Sequence, residues 1–81
     1  MRNLLLRAID EQNPVNIYFT VQDNEQNTCR LFYPNFLVTG INDTNNTFIG
    51  YSQEERTKNI GQKVITEDSI SPICRVEFNE D

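Results

Sequence analysis

The chain contains no histidine and no tryptophan among its 81 residues. Histidine is the commonest general base and metal ligand, so its absence removes the usual activator of a serine or cysteine nucleophile. The three glycines, Gly40, Gly50 and Gly61, do not form a phosphate-binding loop. We therefore expect a protein that is not an enzyme and that holds neither a cofactor nor a metal ion.

Two pairs of adjacent carboxylates are the remaining candidates for catalysis. Paired acids can hydrolyse glycosides or hold a divalent cation, which would give Glu54–Glu55 and Glu67–Asp68 a chemical role. Both pairs fall in segments that read as polar loops, where charged residues are usually solvated surface. An enzyme acting through Glu67 and Asp68 is therefore the functional hypothesis that the sequence supports least.

Clusters of positive charge are also missing. The net charge is −5, and the seven cationic residues are scattered along the chain at Arg2, Arg7, Arg30, Arg56, Lys58, Lys63 and Arg75. Tight, non-specific binding of nucleic acid needs clustered Lys and Arg that release counterions from the phosphates, so the chain as a whole argues against it. Net charge does not report the local field, so a small basic pocket stays compatible with the composition.

The two cysteines and the short apolar runs bear on where the protein works. Cys29 and Cys74 cannot complete a tetrahedral zinc site without carboxylates or a second chain. Either they pair, if the first and last parts of the sheet are neighbours, or they are buried reduced thiols, and we expect the second arrangement. The run Leu4–Leu6, which Arg7 ends, is too short for a signal peptide, and no segment approaches the ~20 apolar residues of a membrane span. These patterns predict a cytoplasmic, soluble protein without membrane contact.

Short apolar segments separated by Pro, Gly and Asn/Asp clusters predict the fold. Residues 15–21 alternate between apolar and polar side chains, as in a strand with one buried face. Before it, residues 2–11 carry an apolar stripe of Leu5, Ala8 and Ile9, widened by Leu4, which predicts a helix that Pro14 prevents from continuing. The chain is too short for more than one domain, which we place at residues 1–81.

The remaining strands are short and closely spaced. Pro34 should end one of them, residues 23–27, 43–46 and 67–69 read as turns, and Gly50 suggests a bend or bulge. The predicted strands are residues 15–22, 28–33, 36–42, 47–52, 63–66 and 70–78. The predicted core contains Ile17, Phe19, Phe32, Phe36, Val38, Ile41, Phe48, Ile49, Ile65 and Ile70. The expected class is mainly β (α+β): a short N-terminal helix followed by a small, strongly bent five- to six-stranded Sm-like open barrel.

An aromatic residue on the polar side of the first strand is a candidate contact. Tyr18 lies opposite the apolar face of its strand, and we expect it to be exposed beside Arg30. Such a ring stacks on a nucleobase or on a partner protein, or it packs against neighbouring strands of a half-exposed sheet. The sequence leaves both roles open.

With these segments in order, the chain resembles the WYL domain, an Sm-like ligand-sensing module of bacterial transcription regulators and phage-defence systems. The likeness runs from about Leu5 to Ile73 and rests on five segments taken together. They are the helix Leu5–Ile9, the strand Val15–Phe19, the R-x-x-x-P-x-x-L-like stretch Arg30–Leu37, Phe48–Tyr51 at the place of the W-Y-L signature, and the closing segment Lys63–Ile70. The signature tryptophan is absent, and Ser69 stands where the closing motif has arginine. We also expect no helix-turn-helix in front of the module.

The resemblance implies a regulatory module that binds an anionic ligand, a nucleotide or nucleic acid, in a small groove lined by basic side chains. Carried over by position, Arg30 and Lys63 would contact the anion and Tyr51 would form a wall of the pocket, with Tyr18 as a further candidate. The alternative is an acidic protein-interaction factor, such as a phage or mobile-element inhibitor or a homodimer. It would bind its protein partner through a sheet edge or the apolar face of the helix.

Overall fold

A computed structural model describes residues 1–53 and 64–79 and shows one helix followed by five strands in this part of the chain. The elements are α1 (Arg2–Glu11), β1 (Val15–Asp23), β2 (Gln26–Asn42), β3 (Thr47–Ser52), β4 (Thr66–Ser69) and β5 (Ile73–Phe78). All strand pairs are antiparallel, and the order across the sheet is β4-β3-β2-β1-β5. The mainly β class with an N-terminal helix is thus as predicted, and no β4–β5 ladder closes the sheet within the described residues.

The helix has the bounds that its apolar stripe predicts. Leu5 and Ala8 are fully buried against the sheet. Gln12 ends the helix in the left-handed conformation, with φ 53°, so that backbone N–H groups reach the carbonyls of the last turn. Glu11 lies at the end of the helix that disfavours an anion, and its ion pair with Arg7 at 2.6 Å offsets that cost.

The second strand is continuous where the sequence predicted a break at Pro34. One 17-residue strand pairs with β1 as far as Phe36 and with β3 from Phe36 onward. Two residues, Pro34 and Asn35, stand opposite Asn16 alone, so Pro34 lies in a bulge and needs no ladder hydrogen bond. Asn35 takes a left-handed φ of 49°, and its N–H donates to Asn16 Oδ1 at 2.9 Å. The prediction of two separate strands is therefore wrong.

The bounds of the other strands agree in part with the predicted bounds. The third strand, residues 47–52, is as predicted, and β1 is one residue longer than expected because a tight Asn24–Glu25 turn follows it. The segment predicted as a turn at residues 67–69 belongs to β4, which pairs with β3 from Thr47 to Gly50. The predicted strand at residues 63–66 overlaps β4 only at Thr66, and residue 63 is outside the described part of the chain. The last strand begins at Ile73, three residues later than predicted.

Four aromatic rings from three strands form the centre of the core. Phe19, Tyr33, Phe36 and Phe48 contact one another with ring centroids 5.0 to 6.3 Å apart, mostly edge to face. The buried apolar residues are Leu5, Ala8, Val15, Ile17, Phe19, Phe36, Val38, Phe48, Tyr51, Ile70 and Ile73. Phe32 and Ile65, predicted for the core, are instead 47% and 58% exposed. Phe32 is the extra residue of a second bulge, opposite the Ile17–Tyr18 step of β1.

The connection between β4 and β5 joins the two halves of the curved sheet. The N–H of Ile70 donates to the carbonyl of Asn46, at the turn before β3, at 3.0 Å. Two residues later the carbonyl of Pro72 accepts from the N–H of Thr20 in β1 at 2.8 Å. These two backbone bonds hold the ends of the sheet together where no ladder does.

The two cysteines form a disulfide, which corrects the expectation of two reduced thiols. Cys29 in β2 and Cys74 in β5 are bonded, with their Cα atoms 6.1 Å apart. The two strands flank β1, and the curvature of the sheet brings them close enough for the bond. The sequence allowed a Cys29–Cys74 bond if the first and last parts of the sheet were neighbours. In the structure the last strand lies beside the first, so the bond can form.

Gly50 should tolerate a side chain less well than Gly40, the other glycine among the described residues. A Cβ atom there would lie 2.6 Å from Cε1 of Phe36 and closer still to the carbonyl oxygen of Leu37, whereas a Cβ at Gly40 meets nothing within 4 Å. We expect Gly50→Ala to lower the free energy of unfolding by about 1–3 kcal/mol through overpacking. The matched control Gly40→Ala should change it by less than about 0.5 kcal/mol. Urea unfolding followed by circular dichroism measures both, and equal effects would contradict the packing argument.

Candidate functional site

Three side chains lie next to one another on the outer face of the sheet. Tyr18 of β1 pairs directly with Leu31 of β2 on one side and with Arg75 of β5 on the other. Its neighbours along β1, Ile17 and Phe19, are buried, so the alternation of the strand turns Tyr18 outward. We call Tyr18, Leu31 and Arg75 the outer-face patch.

The patch is held in place by a chain of polar contacts. The guanidinium of Arg75 lies 5.2 Å from the centroid of the Tyr18 ring, a cation–π geometry. Its Nη2 atom also donates to Glu77 Oε2 at 2.6 Å, and Glu77 Oε1 accepts from Asn16 Nδ2 at 3.1 Å. Because Asn16 also accepts from the backbone of Asn35, this chain of contacts spans three neighbouring strands. The Tyr–Arg pair is therefore ordered before any partner arrives.

Leu31 gives the patch an apolar end. Its side chain is 45% exposed although Leu31 lies in a paired strand. The disulfide borders it, because Cys29 is two residues away on the same strand and Cys74 immediately precedes Arg75. The patch thus combines a ring, a cation and an aliphatic side chain on one rigid surface.

The predicted site residue Arg30 lies on the other face. Its partner across the ladder is the buried Phe19, and it forms an ion pair with Asp23 at 2.8 Å near the end of the first hairpin. The sequence placed Arg30 beside Tyr18, and the structure places Arg75 there instead. Since consecutive residues of a strand alternate in direction, Arg30 and Leu31 point to opposite sides.

Tyr51 lies far from Arg30 and is almost fully buried. It pairs with Leu37, and roughly 20 Å of strand separates that position from Arg30. Tyr51 lines a cleft of about 440 Å³ between the end of α1 and strands β2 and β3. The described residues that line this cleft are all uncharged: Ile9, Gln12, Leu37, Val38, Thr39, Tyr51 and Gln53. Lys63, the other predicted anion contact, lies outside the described residues, as do Glu54 and Glu55.

The carboxylates of Glu67 and Asp68 do not converge on one site. Glu67 and Asp68 are consecutive in β4 and point to opposite faces. Glu67 Oε2 accepts from the hydroxyl of Thr47 at 2.7 Å, and Asp68 accepts from the hydroxyl of Tyr33. In residues 1–53 and 64–79 no group of three His, Cys, Asp or Glu side chains could hold a metal ion.

The hydroxyl of Tyr33 has a strongly shifted pKa. Burial raises the pKa of its hydroxyl from 10.0 to about 12, helped by the hydrogen bond to Asp68 and by the negative charge of that carboxylate. The bond joins β2 to β4 across the aromatic core, although β3 lies between the two strands in the sheet. Its role is structural, because it holds the outermost strand over the core.

Every arginine in the described part of the chain has a carboxylate partner. The pairs are Arg2–Asp43, Arg7–Glu11, Arg30–Asp23 and Arg75–Glu77, with closest N–O distances of 2.6 to 2.9 Å. Such exposed pairs each contribute about 0–1 kcal/mol to stability, but they cancel the local positive field. The described surface therefore offers no basic groove.

Sequence reasoning found Tyr18 but missed its two neighbours. Alternation along β1 was sufficient to turn the ring outward, whereas the identity of its partners depends on the register of β2 and β5. Both registers shift next to Tyr18, between Ile17 and Tyr18 on one side and between Tyr18 and Phe19 on the other. No signal in the sequence gives the position of these bulges.

Comparison of the chain with protein-family models, with curated proteins and with solved structures found no match. Among the described residues, no helix has the length and apolar character that crossing a bilayer requires. The case for a function therefore depends on the geometry of the chain itself.

The Tyr33–Asp68 bond should give stability a distinct pH dependence. Tyr33→Phe should lower the free energy of unfolding at pH 7 by about 0.5–1.5 kcal/mol, because Asp68 loses its donor. The unfolded tyrosine ionises near pH 10 and the folded one near pH 12, so the stability of the original chain should fall as pH rises through this window. The difference between the two proteins should therefore shrink above pH 10. Urea unfolding between pH 7 and 12 measures it, and a constant difference would contradict the assignment.

Proposed function

We propose that this chain is a non-enzymatic interaction module that binds a basic partner protein through the outer-face patch. The observation that carries the proposal is the exposed Leu31 beside a Tyr18–Arg75 stack that is already ordered. Tyrosine and arginine are enriched among the residues that dominate binding energy, and a rigid side chain loses little entropy when a partner docks.

The charge of the chain favours a basic partner over a second copy of itself. The net charge is −5, and in the described part of the chain each arginine is already neutralised by a carboxylate. A negative field steers a positively charged protein toward the surface and repels an identical chain. The partner we expect therefore presents Lys or Arg around an apolar centre that receives Leu31.

The arrangement of acids supports the non-enzymatic part of the proposal. Glu67 and Asp68 point to opposite faces, and each accepts a hydrogen bond, Glu67 from Thr47 of β3 and Asp68 from Tyr33 of β2. A pair of carboxylates that works on one glycosidic bond must face a common space. A cytoplasmic location stays a prediction from the sequence, and the disulfide is of the kind that persists in oxidising compartments.

Replacing the apolar end of the patch tests the proposal. Leu31→Asp should abolish capture of a basic protein from cell extract by the immobilised chain, because a carboxylate would be desolvated at the centre of the contact. The matched control is Leu6→Asp on α1, where the leucine is 39% exposed but lies away from the patch. Circular dichroism should show that both variants fold. Capture that survives Leu31→Asp, or that is lost equally in both variants, contradicts the proposal.

A second candidate is the WYL-like module that binds an anionic ligand, and the cleft beside Tyr51 favours it. The cleft has the size of a small-ligand site, and Tyr51 stands at its wall as the resemblance implies. A helix followed by a curved five-stranded sheet is compatible with the Sm-like barrel of that family, which we keep as part of this proposal. Arg30 and Lys63 would be the anion contacts, although Arg30 is paired with Asp23 in the structure.

A thermal-shift screen separates the two candidates. If the anion site exists, a nucleotide, cyclic oligonucleotide or short single strand should raise the melting temperature at low salt, since a ligand that binds only the native state stabilises it. Arg30→Glu should abolish that shift, whereas Arg2→Glu, a matched loss of one exposed ion pair, should preserve it. Shifts that are equal in the two variants would remove Arg30 from the site. No shift across the panel would leave the interaction module as the better proposal.

A further inference from the structure

The disulfide joins an outermost strand of the sheet to the long central one. Cys74 lies in β5, which pairs only with β1 among the described strands, and Cys29 lies in β2 on the far side of β1. The bond therefore passes over β1 and ties β5 to a strand with which it has no ladder. It also closes a loop of 45 residues, so it restricts the unfolded chain strongly.

We propose that the Cys29–Cys74 disulfide is a redox-sensitive latch on the last strand. When a dithiol reduces the bond, β5 leaves the sheet while α1, β1, β2 and β3 keep their fold. The inference concerns the conformation of the chain alone and does not depend on the proposed partner protein.

The core supports a separate release of β5. The rings of the aromatic cluster, Phe19, Tyr33, Phe36 and Phe48, all come from β1, β2 and β3. From β5 only Ile73 is buried, whereas Val76 and Phe78 are partly buried at the margin of the core. Loss of β5 thus uncovers the neighbouring Val15 and Ile17 of β1 but leaves the aromatic cluster in place.

Besides its ladder with β1 and the outer-face contacts of Arg75 and Glu77, the chain around β5 makes contacts at the C-terminal end of the strand. The guanidinium of Arg7 lies over the ring of Phe78 at 4.2 Å, and the N–H of Asn79 donates to the carbonyl of Pro14 at 3.2 Å. The ladder with β1 is interrupted by a bulge at Cys74, between the pairs Tyr18–Arg75 and Phe19–Ile73. A bulge leaves a residue unpaired and weakens the ladder at the point where the disulfide now reinforces it.

The bond is within reach of a reductant. Cys29 is exposed and Cys74 is half-buried. A thiolate of the dithiol attacks Sγ of Cys29, and Sγ of Cys74 leaves as a thiolate that takes up a proton. The second thiol of the reductant then displaces Sγ of Cys29, which becomes a thiol. Two electrons and two protons pass to the chain, and the reductant ends as a disulfide.

Hydrogen exchange of the whole chain, oxidised and after dithiothreitol treatment, tests the latch. Reduction should accelerate exchange in residues 73–78 by about tenfold or more, whereas residues 36–52 of β2 and β3 should stay within about twofold. The double variant Cys29→Ser/Cys74→Ser, measured without reductant, should reproduce the reduced pattern. The oxidised chain, carried through the same steps with dithiothreitol omitted, is the control.

Three outcomes would overturn the proposal. They are unchanged exchange in residues 73–78 after reduction, equal acceleration in residues 73–78 and 36–52, and a disulfide that mass spectrometry finds intact in native protein after dithiothreitol treatment. Equal acceleration would mean that the bond stabilises the whole domain without controlling β5. An intact disulfide would mean that the exposed position of Cys29 does not admit a dithiol.

Discussion

The continuity of β2 is the constraint on which the rest of the molecule depends. Phe36 pairs with Val15 of β1 and with Ser52 of β3, so one strand serves both halves of the sheet. The bulge at Pro34 and the left-handed Asn35 lie just before Phe36 and interrupt the regular extended geometry of the strand. Because β2 turns here, the aromatic side chains of its two halves face each other. The core, the Tyr33–Asp68 bond and the disulfide all need this geometry.

How far the fold could be predicted depends on whether local pattern or tertiary pairing decides a segment. The helix and residues 47–52 were predicted correctly because an apolar stripe and a short apolar run bounded by Asn and polar residues determine them locally. Pro34 was read as a strand end, since proline cannot donate to a ladder, and only a bulge opposite Asn16 makes the strand continuous. Residues 67–69 have low β propensity, and it is their pairing with β3 that makes them a strand.

The candidate site was less predictable than the fold because it is assembled from three strands. The direction of Tyr18 follows from alternation within β1, which is a local property. Leu31 stands beside it because the first hairpin sets one register from Asp23–Gln26 to Tyr18–Leu31. Arg75 stands there through the long-range pairing of β5, whose register shifts next to Tyr18. Arg30 lies on the opposite face because it pairs with the buried Phe19, in the unbroken register that runs from the Asn24–Glu25 turn to Tyr18. The family resemblance brings Arg30 and Tyr51 together, but Tyr51 pairs with Leu37, which lies in the half of β2 that Arg30 does not belong to.

The distribution of charge limits which ligands the described surface can attract. An anion needs an uncompensated cation, and each described arginine already donates to a carboxylate on the same or a neighbouring element. Breaking such a pair to bind a phosphate would form one ion pair and lose another, so the net gain in binding free energy would be small. Arg75 keeps its carboxylate and lies over a tyrosine ring whose other cross-strand neighbour is the exposed Leu31. Arg7 lies over the Phe78 ring in the same way. The partner surface that we propose would cover all three side chains without breaking the Arg75–Glu77 pair, and for this reason we favour the outer face over an anion site within the described residues.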